Sequence, residues 1–206
     1  MTKVLKINSS LYSQDGQSSQ LATQFVDALR ERDPGLRLVE RDLSRETVPH
    51  LDAARFQAFL TKAEERTAEQ HEVAAYSDAL VAELRDADVV VLGLPMYNFG
   101  VPSQLKAYFD HIARAGVTFR YTDQGPVGLL TGKEAYVFAT RGGAYAGTSR
   151  DTQTAYVRDF LAFLGISAVE FVYAEGLALG PAQRESSLAQ ARVTLQNLAP
   201  PVRLAA

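Results

Sequence analysis

VVVLGLPMYNFGVPSQLKAYFDHI, residues 89–112, decides the architecture of the chain. Its first six residues form an unbroken apolar run, as expected of a strand covered by helices on both faces. Further on the period changes: Leu105, Tyr108, Phe109 and Ile112 recur every three or four positions and share one face of a helix. The connection between them holds Met96, Tyr97, Asn98 and Phe99, two rings and a thioether where Gly, Asp or Ser would turn the chain at lower cost. Bulky side chains at such a turn point to something seated on it.

The strand-then-helix unit recurs on either side. Val4–Asn8 precedes Leu21, Phe25, Val26 and Leu29 on one helical face, and further strands are expected at Leu36–Asp42, Ala135–Thr140 and Ala168–Tyr173. VVVLGL and AYVFAT are almost wholly apolar and suit internal strands, whereas LRLVERDL and AVEFVY carry charge and suit sheet edges. The pattern predicts an α/β three-layer sandwich, with a five-stranded parallel sheet in the order 2-1-3-4-5 and residues 1–206 as one domain. Lys6 is at odds with an internal strand and is expected to extend its ammonium to water from near the strand end.

Two stretches interrupt the alternation. Pro49 to Asp86 reads as one short and one longer helix, with Glu64, Glu65, Arg66, Glu69 and Glu72 on a solvated face and not in a carboxylate site. VTFRYTDQGPVG, residues 117–128, alternates Phe119 and Tyr121 with polar residues before a turn; it predicts a small hairpin whose exposed aromatics would form a partner surface.

Composition excludes several classes of function. The 206 residues are 47% hydrophobic and 22% charged, and the formal net charge of -3 is dispersed, so no basic field exists to attract nucleic acid or anionic lipid. Cysteine is absent, which removes disulfides, thiolate metal sites and a cysteine nucleophile; redox chemistry would need a bound cofactor. No apolar stretch approaches the roughly 18 residues of a membrane span, and a cytoplasmic location is expected. His50, His71 and His111 lack metal-ligand spacing and read as surface or helix-end residues. There is no G-x-S-x-G nucleophile elbow. GLLTGKE, at residues 128–134, fails as a P-loop, because Val127 stands at the first glycine position and Glu134 at the hydroxyl position.

In an open parallel sheet, ligands sit beyond the carboxyl ends of the strands where the order reverses, here between strands one and three. SSLYSQDGQSSQ, residues 9–20, brings five serines and one glycine to the start of a helix, a setting that suits a phosphate, although the loop taken alone favours Ser18 or Ser19 as a simple helix cap. Met96 to Phe99 would wall a flat, hydrogen-bonding ring system. Thr140, Arg141, Gly142 and Gly143 end the fourth strand, where paired glycines admit a ligand edge and Arg141 would help to stabilise negative charge on it. One phosphate, a polyol chain and a planar redox ring, the parts of FMN, match these three loops.

PMYNFGVPSQLKAYFD, with VLKINSS, ARAGVTFRYTDQGPVGLLTGK, TRGG and FLAFLGISAVEFVYAEG, resembles the FMN-dependent NADH azoreductases of bacteria, a family of flavodoxin-like quinone reductases. The likeness spans nearly the whole chain. It implies a flavodoxin-like fold, phosphate contacts from Ser10, Gly16, Gln17 and Ser18, a ring held by Met96, Tyr97, Asn98 and Phe99, and a second ring edge at Thr140, Arg141, Gly142 and Gly143. Gly16 and Thr140 stand where the family often has serine, so their contacts would be main-chain or altered. Tyr145 would bear on substrate preference. A homodimer is implied, in which Tyr121 and Phe163 of one subunit line the other's pocket. The expected reaction is ping-pong, with NADH or NADPH as donor, quinones or azo compounds as acceptors, and no side-chain acid, base or metal. Two other readings are a flavodoxin-like electron carrier and a flavin reductase that releases reduced FMN.

Overall fold

The computed structural model describes residues 1–198. Five strands form one parallel sheet: β1 (Lys3–Asn8), β2 (Arg37–Asp42), β3 (Val89–Pro95), β6 (Glu134–Thr140) and β7 (Ala168–Ala174). The remaining two, β4 (Phe119–Thr122) and β5 (Gly125–Gly128), pair antiparallel as a separate hairpin. Counted in chain order, the sheet runs β2-β1-β3-β6-β7, so the predicted 2-1-3-4-5 is renumbered by the two hairpin strands that fall between its third and fourth members.

Alternation along the internal strands divides the core. Val89 and Val91 of β3 face α1 (Gln17–Arg32) and α6 (Pro181–Leu198), where Phe25 packs 4.5 Å from the Tyr136 ring and 5.3 Å from Phe138. Val90, Leu92 and Leu94 face the opposite layer of α3 (Ala68–Asp86), α4 (Ser103–Ile112) and α5 (Thr154–Leu164). Every residue of β3 is buried, as its continuous apolar run requires. Edge strand β2 is largely exposed and carries the charges its sequence showed.

Lys6 does not reach water. Its side chain is 4% exposed, and Nζ lies 2.7 Å from Glu40 Oε1, the cross-strand neighbour on β2, and donates to Thr23 Oγ1 at 2.7 Å. A buried ammonium has to be paired, and the edge strand supplies the carboxylate. The stretch between β2 and β3 forms α2 (Ala53–Leu60), capped by Asp52, and then α3, opened by a Thr67–Gln70 capping box. Glu64, Glu65, Glu69 and Glu72 are exposed, and no group of metal-ligating side chains occurs among the described residues. His50 and His71 are exposed; His111 lies at the end of α4 and is fully buried.

The hairpin docks on the carboxyl end of α5. Phe119 is buried with its ring 4.2 Å from Phe163, and the backbones of Gly128 and Gly165 approach so closely that a β-carbon on Gly128 would stand 2.0 Å from the Gly165 nitrogen. Tyr121 projects outward, 75% exposed. Among the described residues, no helix is long and apolar enough to cross a membrane.

Candidate functional site

Three loops meet beyond the carboxyl ends of β1, β3 and β6. Tyr97 ties the first two: its hydroxyl accepts from the Leu11 N–H at 3.2 Å and lies 3.4 Å from Ser10 Oγ. Met96 ties the second to the third, its N–H donating to the Thr140 carbonyl at 2.9 Å. Ser10, Gly16, Gln17 and Ser18, Met96 to Phe99, and Thr140 to Gly143 therefore share one rim. Tyr145 joins them, its ring edge-on to Phe99 at 5.5 Å. Tyr121 and Phe163 do not; they lie at the other end of α5, whose 11 residues span about 16 Å.

The first loop leaves donors without partners. Gly16, not Ser18 or Ser19, occupies the cap position of α1, and no side chain caps the helix. The first helical hydrogen bond runs from Gln20 N–H to the Gly16 carbonyl, so the N–H groups of Gln17, Ser18 and Ser19 stand open among the described residues. The Ser18 and Ser19 hydroxyls are buried and have no partner among the described residues. Gly93 lets this turn sit directly on β3, since a β-carbon there would stand 3.2 Å from the Ser18 and Ser19 backbone. An uncapped helix start beside an unpaired buried hydroxyl suits a phosphate, so these residues fit the phosphate end of FMN. Gly16 has no room for the family's serine, because Ser10 fills the space a side chain would need.

Asp42, at the end of β2, braces the loop: it accepts from the Ser13 hydroxyl and from Ser44 Oγ at 2.7 Å and Ser44 N–H at 3.0 Å. Burial pushes its pKa upward, but the Ser13 and Ser44 hydrogen bonds outweigh that and hold it below the ordinary carboxylate value.

The second loop is a tight turn closed by Tyr97 and Gly100, with Gly100 N–H donating to the Tyr97 carbonyl at 2.9 Å. Its central residues, Asn98 and Phe99, have φ of 50° and 61°. Two positive φ values in succession are what a type I′ turn requires and what Asn-Gly ordinarily supplies. Phe in that position carries about 1–2 kcal/mol of backbone strain. Phe99 is half exposed, so packing does not explain its presence.

In the third loop, the carbonyls of Gly142 and Gly143 accept from Ala178 and Gly176, and no hydrogen bond among the described residues uses their N–H groups. The Tyr145 ring lies on Gly143, where a β-carbon would come within 2.6 Å of it. The Arg141 side chain is turned inward and fully buried: it donates to Glu175 Oε1 at 3.0 Å, Asp151 Oδ1 at 2.7 Å and Thr154 Oγ1 at 3.1 Å. Its guanidinium is committed to two carboxylates and does not face the rim, which corrects the expected side-chain role. Glu175 in turn accepts from the N–H groups of Tyr145 and Ala146 at 2.8 and 2.9 Å and fixes the loop. Glu175 was missed from sequence; the signal that points to it is an acid directly after β7, opposite the arginine directly after β6. Thr152 and Gln153, which contact the second loop, gave no sequence signal.

The sheet order, the helical layers on both faces and the three-loop rim define a flavodoxin-like α/β protein. A family model described as a flavodoxin-like fold matches residues 2–199. An FMN-dependent NADH:quinone oxidoreductase of Cellvibrio japonicus is 55% identical over 197 residues, covering 96% of this chain and 98% of the relative. FMN-dependent NADH:quinone oxidoreductase 6 of Burkholderia lata is 55% identical over 192 residues, 93% of this chain and 97% of the relative. Among solved structures, an azoreductase of Bacillus anthracis superimposes with a TM-score of 0.89 at 29% identity, covering 97% of this chain and 99% of that one. An FMN-dependent NADH-azoreductase of the same species, in complex with FMN, gives 0.86 at 27% identity over 97% of this chain and 100% of that one. The chain belongs to the family of FMN-dependent NADH:quinone oxidoreductases.

Proposed function

We propose that the rim beyond β1, β3 and β6 binds FMN and that the protein uses it to carry electrons from NADH to quinones and azo compounds. The observation that carries this reading is the buried, unpartnered Ser18 hydroxyl at an uncapped helix start, joined through Ser10 and Tyr97 to a strained aromatic turn. Bound there, FMN supplies the redox chemistry: hydride accepted from NADH, two electrons returned to a quinone, and two rounds of reduction for cleavage of an azo bond to two amines.

The chain's own work is binding and orientation. Ser10, Ser18 and the N–H groups of Gln17 and Ser18 hold the phosphate. Met96, Tyr97, Asn98 and Phe99 would offer the ring system a flat wall, and the open N–H groups of Gly142 and Gly143 would donate to its polar edge. Arg141 contributes through its backbone, and Tyr145 borders the space left for substrate. No side chain is assigned as acid or base.

In this reading residues 1–206 work as one domain in the cytoplasm, where NADH is found, and as a homodimer. The exposed Tyr121, backed through Phe119 by Phe163, supports a second copy as the surface that covers the hairpin. Light scattering tests the dimer, and Tyr121→Ser is expected to weaken it.

NADH added without oxygen to the FMN-loaded protein tests the reaction. Stoichiometric bleaching of the yellow absorbance, reversed by a quinone, is the expected result. A flavin that stays oxidised under excess NADH would overturn the reading, and flavin lost at every turnover would replace it with a reductase that releases reduced FMN.

A further inference from the structure

The strained turn at Asn98 and Phe99 is held from outside. Gln153, the residue before α5, is fully buried, and its Nε2 donates to two carbonyls at once: Pro95 at 3.0 Å and Gly100 at 2.9 Å, the two ends of the second loop. Its neighbour Thr152 donates through Oγ1 to the Phe99 carbonyl, in the centre of the same turn. Asp151 reaches the other way, accepting from Arg141 at 2.7 Å and from Thr154 N–H at 3.0 Å and Oγ1 at 2.7 Å. Through Arg141 and Glu175 that contact extends to the N–H groups of Tyr145 and Ala146. Residues 151–154 thus bind both walls of the rim.

We infer that Gln153 is a positioning residue for the cofactor ring: through the Pro95 and Gly100 carbonyls it keeps the Tyr97–Gly100 turn in a backbone conformation the turn's own residues disfavour. The inference rests on the proposed binding of FMN beside this turn. The side-chain chemistry fits the task. Two carbonyl oxygens converge on one amide nitrogen, which only a side chain with two N–H donors on one atom can serve. A carboxylate there would set oxygen against oxygen, and an apolar side chain would take the side-chain donor from the buried Pro95 carbonyl and leave the part-buried Gly100 carbonyl with the 3.3 Å bond from Tyr97 N–H. Gln153 makes no helix-capping hydrogen bond, so its side chain is given over to the loop.

Gln153→Met keeps the shape and removes both donors. FMN affinity of the variant, read by quenching of free-flavin fluorescence, is expected to fall about tenfold. If the amide acts by holding a strained turn, relieving the strain uncouples it: in a Phe99→Gly background the same substitution is expected to cost less than about threefold. A role confined to α5 would give equal factors in both backgrounds, which overturns the inference, as does an unchanged affinity of Gln153→Met. A readout without flavin separates this result from failure of the FMN reading. In the apoprotein, amide exchange at Gly100 is expected to quicken in Gln153→Met, and unchanged protection there overturns the inference even if FMN does not bind at all. Should Gln153→Met fail to fold, Thr152→Val removes only the bond to Phe99 and is expected to move both readouts the same way by a smaller factor, whereas no movement in either overturns it.

Discussion

Ser10 and Gly16 occupy space that admits only one side chain: a β-carbon on Gly16 would stand 2.2 Å from Ser10 Oγ and 2.5 Å from Ser10 Cβ. Because the β-carbon itself is in the way, rotating the hydroxyl aside brings no relief. Gly16→Ser, which restores the residue common in the family, is therefore expected to weaken FMN binding by about tenfold, an overpacking cost of about 1–3 kcal/mol forced into the loop. Ser10→Gly in the same chain is expected to recover most of the overpacking cost, read as urea stability of the apoprotein, but not the phosphate contact of the Ser10 hydroxyl, while Ser10→Ala recovers neither. Flavin titration and urea unfolding of the three variants check it, and a single Gly16→Ser chain that binds FMN normally would show that the loop yields without cost.

Phe99→Gly separates stability from binding. Releasing a φ of 61° from an L residue returns about 1–2 kcal/mol, of which glycine's greater freedom in the unfolded chain takes back about 0.5–1. The apoprotein is expected to gain up to about 1.5 kcal/mol and to melt up to about 6 °C higher. FMN affinity is expected to fall, because the ring beside Tyr145 is lost. Calorimetry of the apoprotein and flavin titration check the two halves. A lower melting temperature would mean that the Phe99 ring contributes more to the fold than its exposure indicates.

What the sequence revealed and what it hid follow from one distinction. VVVLGL and AYVFAT announced internal strands because burial on both faces demands an apolar side chain at every position. The loop after β3 was legible because aromatics are costly choices for an ordinary turn, and those after β1 and β6 because hydroxyls at a helix start and paired glycines suit a phosphate and a close ligand edge. Hidden were the residues that act by pairing at long range. Lys6 read as solvated because Glu40 lies 34 positions away, and Arg141 read as a rim cation because Glu175 comes opposite it only when β6 and β7 are aligned and Asp151 only when the chain before α5 folds back. Gln153 carries no pattern at all, since its partners are main-chain carbonyls and main chain has no residue type.

The Lys6–Glu40 pair yields an asymmetric prediction. Glu40→Ala leaves an ammonium inside the sheet with only Thr23 Oγ1 as partner and is expected to cost about 2–3 kcal/mol. Lys6→Met removes the charge, keeps most of the volume against α1, and is expected to stay within about 1 kcal/mol of the parent. In the Lys6→Met chain, Glu40→Ala is expected to cost no more than about 0.5 kcal/mol. Urea unfolding of the four chains measures the coupling. Equal costs for Glu40→Ala in both backgrounds would mean that the carboxylate serves the edge strand and not the lysine.

His111 is expected to make the stability of the fold fall as pH drops below 6.5. Its ring stands edge-on between Phe59 and Tyr76, 5.8 Å from each centroid, with Nδ1 at 3.0 Å from the Ala107 carbonyl and Nε2 buried with no partner among the described residues. The Arg114 guanidinium lies over the Phe59 ring at 4.2 Å, a second cation a protonated imidazole would have to face. Burial, more than any other influence, holds the His111 pKa below its ordinary 6.5. The sign follows: the unfolded chain takes up this proton near pH 6.5 and the folded chain only at lower pH. The stability His111 contributes is therefore complete above 6.5 and is lost as pH falls toward the lowered folded value, with a slope of up to about 1.4 kcal/mol per pH unit. Asp42 and Asp151, both held below 3.8, act only in a more acidic range and do not blur this window. Urea unfolding from about pH 8 to about pH 5 is expected to show that slope in the parent and to lose it in His111→Gln, whose amide can still donate to Ala107 but does not titrate. Parallel slopes in the two chains would place the acid sensitivity elsewhere.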